Sequence, residues 1–599
     1  KIPFLVGADF EEGAAFGPAP ALSFRLPADA GALAFEGKAE EKRVSGTVRQ
    51  GRATGSFEVV PVVDFPVARF DEHASTFEGP ERRLRFFLRE ENAFFYVEGD
   101  RTVRLYPTSE TTFVSEADEV LTFVSPARVT FEPHGKPTEE WNRVPLVTRE
   151  AVAFSNGDVR LSGTLLLPST PGPHPAVVFT HGSQTNERDW YCVDAYPFAL
   201  RGFAALVFDK RGSGKSTGVT ETASIYDLAD DAIAGVRCLK GRADVLGSKV
   251  GVQGLSQGAT IASVAASRSK DVSFVISVSG MGGTFVQQEL YNVDNKFRHA
   301  GFSDRLRDTG LRFWKMTTDL PVAVGEKRLP DVFGIRDSLG MSVPLERVWE
   351  SVSQPALVIY GEKDSLVPAV QSAAVTRRAL EKGGNRDFSI HVFPNASHGL
   401  SLTKTGSRLE REGPRAPGFT DLMTAWAKKQ VDPTVELPAT GTEVGAAQLA
   451  PSADYEKDGR FGPVAWFGGA PAQLALGSVF VLTALAALVG FWLREKDAGN
   501  VLALASGLSA LAMVAGFVAM GVLVLFPDFP RAAPGWLNVL PIAGLLAAGV
   551  AVAQVVVTVR GWLAGRWRTS TRLFFSWVAV VDVALIGWLV YWRLLGLGF

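Results

Sequence analysis

The chain has 599 residues and a mass of 64.3 kDa, enough for two to four folded units of about 100–200 residues each. Its 61 basic residues nearly balance 63 acidic ones, for a net charge of −2. That balance argues against a nucleic-acid partner, which requires a clustered cationic surface. Two cysteines, Cys192 and Cys238, exclude a disulfide scaffold and a cysteine-rich zinc module. A mean hydropathy of +0.11 alongside 21% charged residues means that the apolar residues are concentrated in one part of the chain.

Residues 1–145 read as an all-β accessory domain, a sandwich or small barrel. The stretch "RRLRFFLREENAFFYVEGDRTVRLYPTS" holds short alternating runs separated by "EEN" and "EGD" turns, and "GTVRQGRATGSFEVVPV" reads as a further hairpin. No chemistry is visible there.

Between residues 146 and 430 strands alternate with helices, the pattern of a mainly parallel sheet. "AVAFSNGDVRLSGTLLLP" is a hairpin closed by Asn156-Gly157. "PAVVFTHG", "AALVFDKRG", "KVGVQGLSQG", "VSFVISVSG", "PALVIYGEKD" and "FSIHVFP" follow as short buried strands. Gly254-Leu255-Ser256-Gln257-Gly258 matches G-x-S-x-G, a sharp strand-to-helix turn that projects the serine hydroxyl. Side chains at positions 254 and 258 would collide there, so both are glycine. The motif alone is weak in a glycine-rich chain. The apolar strand before it and the small-residue helix "ATIASVAASR" after it give it weight.

A serine nucleophile needs a base, and the base needs an acid to orient it. Of seven histidines, His391 lies inside a strand, His174 in the "PGPHP" turn, and His73, His134 and His299 fit surface positions. His398, in the polar loop "FPNASHGL" after the last strand, is the expected base. Asp364, in "IYGEKDSLVP" after the preceding strand, is the expected acid, with Glu362 its local competitor.

In these features the chain resembles the α/β-hydrolase family, notably its bacterial esterase and serine-peptidase-like members. These share a "HGS" turn, here His181-Gly182-Ser183, and D-x-R-G-x-G-x-S, here Asp209 to Ser216. The resemblance covers about Arg149 to Gln430. It implies an oxyanion hole made by the backbone N–H groups of Gln257 and Ser183, donors worth about 3–4 kcal/mol each, with His181 structural. "GSGKST" at 212–217 imitates a phosphate loop, but that pattern requires glycine where Asp209 stands. An insertion at about 285–352 reads as a helical cap. Its Phe297, Phe302, Phe313 and Trp314 fit a substrate pocket or, equally, the cap's own core.

Residues 431–471, rich in Pro, Gly, Ala and Thr, read as a linker. Beyond them come four apolar stretches, Ala472–Leu493, Val501–Phe526, Leu537–Val559 and Leu573–Leu595. At about 22–26 residues each they span roughly 33–39 Å as helix, enough to cross a hydrocarbon core of about 30 Å. Trp466, Trp492, Trp536, Trp562, Trp567 and Trp592 lie near their ends, as in an interfacial belt. Arg494, Lys496, Arg560, Arg566, Arg568 and Arg572 place two loops in the cytoplasm, whereas the second-to-third loop carries only Arg531. The hydrolase part is then expected outside, although Lys457 and Arg460 count against this. A removed signal peptide is implied, and a chain starting at Lys1 fits a processed form. Asp582 and Gln554 interrupt the fourth and third stretches as a polar pair, for helix packing or for lipid or ion contact.

The expectation is a membrane-anchored, extracytoplasmic serine hydrolase without metal or organic cofactor. Carboxyl esters lead as substrates, with short peptides next and lipid-like acyl groups suggested by the anchor. A non-catalytic ligand-binding module on the same fold is the rival of a different class.

Overall fold

A computed structural model describes residues 22–26, 33–40, 43–50, 53–59, 62–63, 65–90, 93–99, 101–115, 119–133, 135–183, 187–325, 343–407, 410, 413–443, 468–493, 498–525, 539–565 and 567–595. His134, Trp466, Trp536, the cap residues 326–342, the linker residues 444–467 and the loop residues Arg494, Lys496, Arg531 and Arg566 lie outside this set.

The N-terminal region holds two β units. Strands β1 (Leu22–Leu26), β2 (Leu33–Glu40), β3 (Arg43–Gln50) and β4 (Ala53–Val59) form an antiparallel four-stranded sheet. Helix α1 (Val67–His73) leads into a closed barrel of β5 (Thr76–Glu78), β6 (Leu84–Glu90), β7 (Ala93–Glu98), β8 (Arg101–Pro107), β9 (Thr112–Ser115), β10 (Glu119–Ser125), β11 (Arg128–Pro133) and β12 (Glu139–Arg143). Closure comes from β12 pairing with β5, Asn142 opposite Glu78, which leaves no open edge for another chain to pair with. Alternate side chains fill the interior, among them Phe77, Phe87, Phe94, Phe113, Phe131 and Trp141. Arg85 is buried among them, its guanidinium over the Phe131, Trp141 and Tyr96 rings and paired with Glu98 and Glu119. His73, expected at the surface, stacks on Phe123 of this core.

The next sheet has nine strands: β13 (Val147–Asn156), β14 (Val159–Pro168), β15 (His174–Thr180), β16 (Ala204–Phe208), β17 (Val245–Leu255), β18 (Val275–Val278), β19 (Ala356–Gly361), β20 (Phe388–Phe393) and β21 (Thr442–Glu443). Their order is β13-β14-β16-β15-β17-β18-β19-β20-β21, and β15 to β20 are mutually parallel. Asn156 faces Val159 across the predicted hairpin, with Gly157 at a φ of 56°. The central strands are apolar throughout because helices cover both faces. Val178, Val252 and Val358 face α3 (Ile225–Lys240), α4 (Gln257–Arg268) and α8 (Ala369–Lys382). Phe179, Ile276 and Ile359 face α2 (Cys192–Leu200) and α9 (Phe419–Lys429). Strand β21 was not expected: Thr442 and Glu443, inside the predicted linker, return to pair with β20. Neither cysteine is in a disulfide, Cys192 being buried and Cys238 half-buried.

Helices α5 (Phe285–His299) and α6 (Asp304–Gly325) form the described part of the insertion, and α7 (Leu345–Ser351) returns to the sheet. Thr284 and Gln287 close a reciprocal capping box at the start of α5. Four helices follow, Ala470–Leu493, Ala498–Leu525, Leu540–Leu563 and Thr569–Tyr591, each long and apolar enough to cross a membrane. Leu482, Leu546 and Val580 point outward, exposed by 65%, 68% and 65%. Such outward apolar side chains suit contact with lipid.

The cap sits on one end of this bundle. Phe297, Phe302 and Phe313 are buried in one cluster with Phe480, Phe517, Trp588 and Trp592 of the bundle, and Trp314 packs against it. The substrate-pocket reading of these four residues is therefore corrected. An amphipathic helix buries its apolar stripe against whatever apolar surface adjoins it, and here that surface is the bundle end. Polar contacts reinforce the joint, because the last carbonyls of a helix have no partner within it. Thr309 Oγ1 donates to Trp592 O (2.8 Å), Arg312 Nη1 to Tyr591 O (2.6 Å) and Arg305 Nε to Arg593 O (2.8 Å).

Asp582 and Gln554 are both buried within the bundle, but not as a pair. Asp582 accepts from Ser506 of the second helix, and the Gln554 amide reaches Thr558 on its own helix. Asp582 thus joins two helices by an interhelical hydrogen bond.

Candidate active site

Ser256 stands between β17 and α4 with φ 59° and ψ −122°, a conformation costly for any residue but glycine. Its N–H donates to Val278 O (2.9 Å), which ties the turn to the neighbouring strand. The glycines are required by space. A Cβ on Gly254 would lie 2.1 Å from Gly258 O, and one on Gly258 would lie 2.7 Å from Thr180 O. Thr180 Oγ1 donates to Gln253 O (3.0 Å) and Gly258 O (2.8 Å), clamping the elbow from β15.

Asp364 follows β19 and is 1% exposed. One carboxylate oxygen accepts the Leu366 and Val367 N–H groups, at 2.8 and 2.9 Å, which fixes its plane. The other accepts from His398 Nδ1 at 2.8 Å. That bond leaves His398 Nε2 as the basic nitrogen, on a side chain 15% exposed. Ser279 Oγ donates to His398 O (2.8 Å) and holds the loop at this edge. Glu362 is turned away and accepts from Asn395 N (2.8 Å). Strands β17, β18, β19 and β20 are consecutive neighbours, so Ser256, Asp364 and His398 all follow C-terminal strand ends on one edge of the sheet. The Ser256 hydroxyl makes no hydrogen bond among the described residues.

Gln257 opens α4, where first-turn N–H groups lack helical partners and the helix dipole favours negative charge. In the turn after β15, Gly182 N–H is taken by Tyr191 Oη (2.6 Å), and the next residue, Ser183, is exposed.

Three neighbours escaped the sequence reading because nothing local marks them. Tyr291 Oη donates to Asp364 O (2.9 Å) and Asn295 Nδ2 to Ser365 O (2.9 Å), so cap helix α5 holds the acid loop. Lys210 Nζ lies under the Gly182 turn.

The residues of "DKRGSGKS" make a knot rather than a phosphate cradle. Asp209 accepts from Arg188 Nη2 (2.6 Å) and Lys215 N (2.8 Å), filling the space with a carboxylate. Burial would raise this carboxyl, but those donors outweigh it and hold it below the usual range. Arg211 forms a two-pronged pair with Asp231, both bonds 2.7 Å. Among the described residues no group of His, Cys, Asp and Glu is placed to hold a metal ion.

The fold and elbow agree with two family models. X-Pro dipeptidyl-peptidase (S15 family) matches residues 156–302, and the BAAT / acyl-CoA thioester hydrolase C-terminal family matches 234–402. The middle of the chain has the α/β-hydrolase fold. Esterase EstD of Thermotoga maritima is 34% identical to it over 117 residues, 18% of this chain. The match spans only 28% of the length of that relative. Solved structures similar to this chain include an esterase of Pyrococcus furiosus, 23% identical over 42% of this chain and 83% of its own, with a TM-score of 0.29. Acetyl xylan esterase 1 from Thermoanaerobacterium is 18% identical over 48% of this chain and 85% of its own, with a TM-score of 0.33.

His181 serves the hydrolase scaffold. Its Nε2 bonds to Phe208 O and its ring meets Phe208 edge-on. Burial pushes its pKa from 6.5 down to about 4. The unfolded chain takes up this proton below pH 6.5 and the folded one only near 4, so stability present above 6.5 is lost as the pH falls through that window. The loss amounts to about 3 kcal/mol at most. Thermal melts between pH 7 and 4.5 should show a midpoint falling with acidification, with a shallower slope in His181→Gln. An equal slope in the two proteins would contradict this assignment.

Proposed function

We propose that the protein is a membrane-anchored serine hydrolase that cleaves carboxyl esters through an acyl-enzyme, with Ser256, His398 and Asp364 as its triad. The observation that carries the reading is the Asp364–His398 hydrogen bond on the sheet edge that also presents the strained Ser256. His398 Nε2 takes the Ser256 proton as the hydroxyl attacks the acyl carbonyl. Asp364 holds the tautomer and stabilises the imidazolium. The Gln257 and Ser183 N–H groups bind the oxyanion, and His398 then protonates the leaving alcohol. Water, activated by the same histidine, releases the acid.

The relatives' names point to esters, to X-Pro peptides and to thioesters. An oxygen ester is preferred to a peptide because an alkoxide leaves more readily than an amine, and to a thioester because the 34%-identical relative is named an esterase. The site's setting favours substrates carried by a lipid surface. Cap helix α5 bonds to the acid loop while the cap packs on the bundle end, which supports a site close to the bilayer. The basic loops support an outer location for the hydrolase domain.

The test uses the full chain in detergent and then in phospholipid vesicles. Its substrates are p-nitrophenyl esters of two to twelve carbons, X-Pro p-nitroanilides and acyl-CoA thioesters. Ester turnover should exceed the others at least tenfold, and longer chains should gain from vesicles. Faster X-Pro-anilide cleavage would replace the esterase reading with the peptidase one. No turnover of any substrate by folded protein would favour the ligand-binding module.

A further inference from the structure

Lys210 lies in the loop after β16 and is 1% exposed. Its ammonium donates to Gly182 O at 2.9 Å and to Gln257 Oε1 at 3.0 Å. These acceptors belong to the two turns that offer the oxyanion N–H groups. Gly182 O and Ser183 N–H are parts of one peptide unit. That unit is planar and trans, so its carbonyl and N–H point in opposite directions. An ammonium pulling on the oxygen therefore fixes the plane of the N–H on the far side. It also polarises the unit, because hydrogen bonds in series strengthen one another in a low-dielectric site. Tyr191 holds the preceding N–H of the same turn. On the other side, Lys210 anchors the side chain of the residue whose own N–H begins α4. Burying an ammonium is costly, and structural packing alone would be served by methionine or leucine.

We infer that Lys210 is a positioning residue for hydrolysis: as an ammonium it locks the Ser183 and Gln257 turns into one oxyanion hole and adds positive potential behind it. The inference rests on the serine-hydrolase reading proposed above. The oxyanion exists only in the tetrahedral transition states, so what Lys210 contributes should appear in kcat and not in ground-state binding. Burial lowers this ammonium to about 8, so kcat should also fall on the alkaline side as the charge is lost. The groups around it that titrate or carry charge are His181, held neutral by burial, Asp209, tied to Arg188, and the Tyr191 phenol.

The experiment compares wild type, Lys210→Met and Ser256→Ala, as full chains in detergent, on a p-nitrophenyl ester from pH 5.5 to 10. Capture by a fluorophosphonate probe is measured in parallel. Lys210→Met should lower kcat 10–100-fold, keep KM within threefold and abolish the alkaline limb. A kcat within threefold of wild type, a loss confined to KM or an alkaline limb that persists in the variant would overturn the inference. Should Lys210→Met fail to fold, Lys210→Gln, which keeps a donor without the charge, takes its place with the same expectations. Wild-type protein that turns over ester without Ser256 capture would overturn the nucleophile reading. Capture at Ser256 with an unimpaired lysine variant would overturn only the role of Lys210.

Discussion

Ser256→Ala is expected to lower kcat by a factor on the order of 10⁴–10⁶ and to abolish covalent capture by a fluorophosphonate. The probe reacts with a serine only when a base removes its proton and an oxyanion hole receives the phosphonyl oxygen. In the proposed triad both requirements would be met at Ser256, which the fold holds at φ 59°. His398→Ala should fall nearly as far, and the double variant little further, because groups acting as one unit are not additive. Asp364→Asn tests a different element. Its side chain would keep an oxygen for the Leu366 and Val367 N–H groups but present an amide to His398, forcing the wrong tautomer at a cost of about 10⁴ in kcat. Mass mapping of the wild-type adduct decides the matter. An adduct on another serine, or Ser256→Ala retaining more than a hundredth of the activity, would end this reading.

Gly254→Ala should be nearly as damaging although it removes no reactive group. The added methyl would lie 2.1 Å from Gly258 O, 2.2 Å from Gly258 C and 2.3 Å from Thr180 Oγ1. Two of these atoms are backbone of the elbow itself, and the third is the clamp that holds it, so no flexible side chain can yield. Forced repacking of a tight site costs about 1–3 kcal/mol. A displacement of about 1 Å at the nucleophile costs about a hundredfold in rate. We expect a melting midpoint lowered by several degrees and kcat reduced at least a hundredfold. Gly202→Ala serves as a control. Its φ of 96° is strained for alanine, but nothing lies within 4 Å of the new methyl, so stability should fall while kcat holds. Equal kcat in Gly254→Ala and wild type would show that the elbow relaxes freely.

These expectations differ in how far they were legible beforehand. The G-x-S-x-G spacing, the buried strand runs and the long apolar helices are local signals, since each records whether a residue is buried or which backbone shape it needs. Asp364 and Glu362 stand two positions apart in one turn, and composition does not choose between them. The choice falls to Asp364 because its own turn supplies the Leu366 and Val367 N–H groups that aim it at His398. Lys210, Tyr291 and Asn295 carried no signal at all, because each acts on a main-chain oxygen far away in sequence.

By itself the sequence determined a mainly parallel α/β core with a G-x-S-x-G turn, an all-β N-terminal region and four membrane-length helices, because periodicity and turn chemistry are written at short range. It also determined that the cap has an apolar face, but not what covers that face. Only the tertiary structure decided that Phe313 meets Phe517 rather than a substrate, and that Asp582 meets Ser506 rather than Gln554. It alone decided that β12 closes on β5 into a barrel. The physical reason is common to all three. Hydrophobicity and unpaired polar groups specify that a partner must exist, whereas the identity of the partner depends on which distant surfaces the chain brings together.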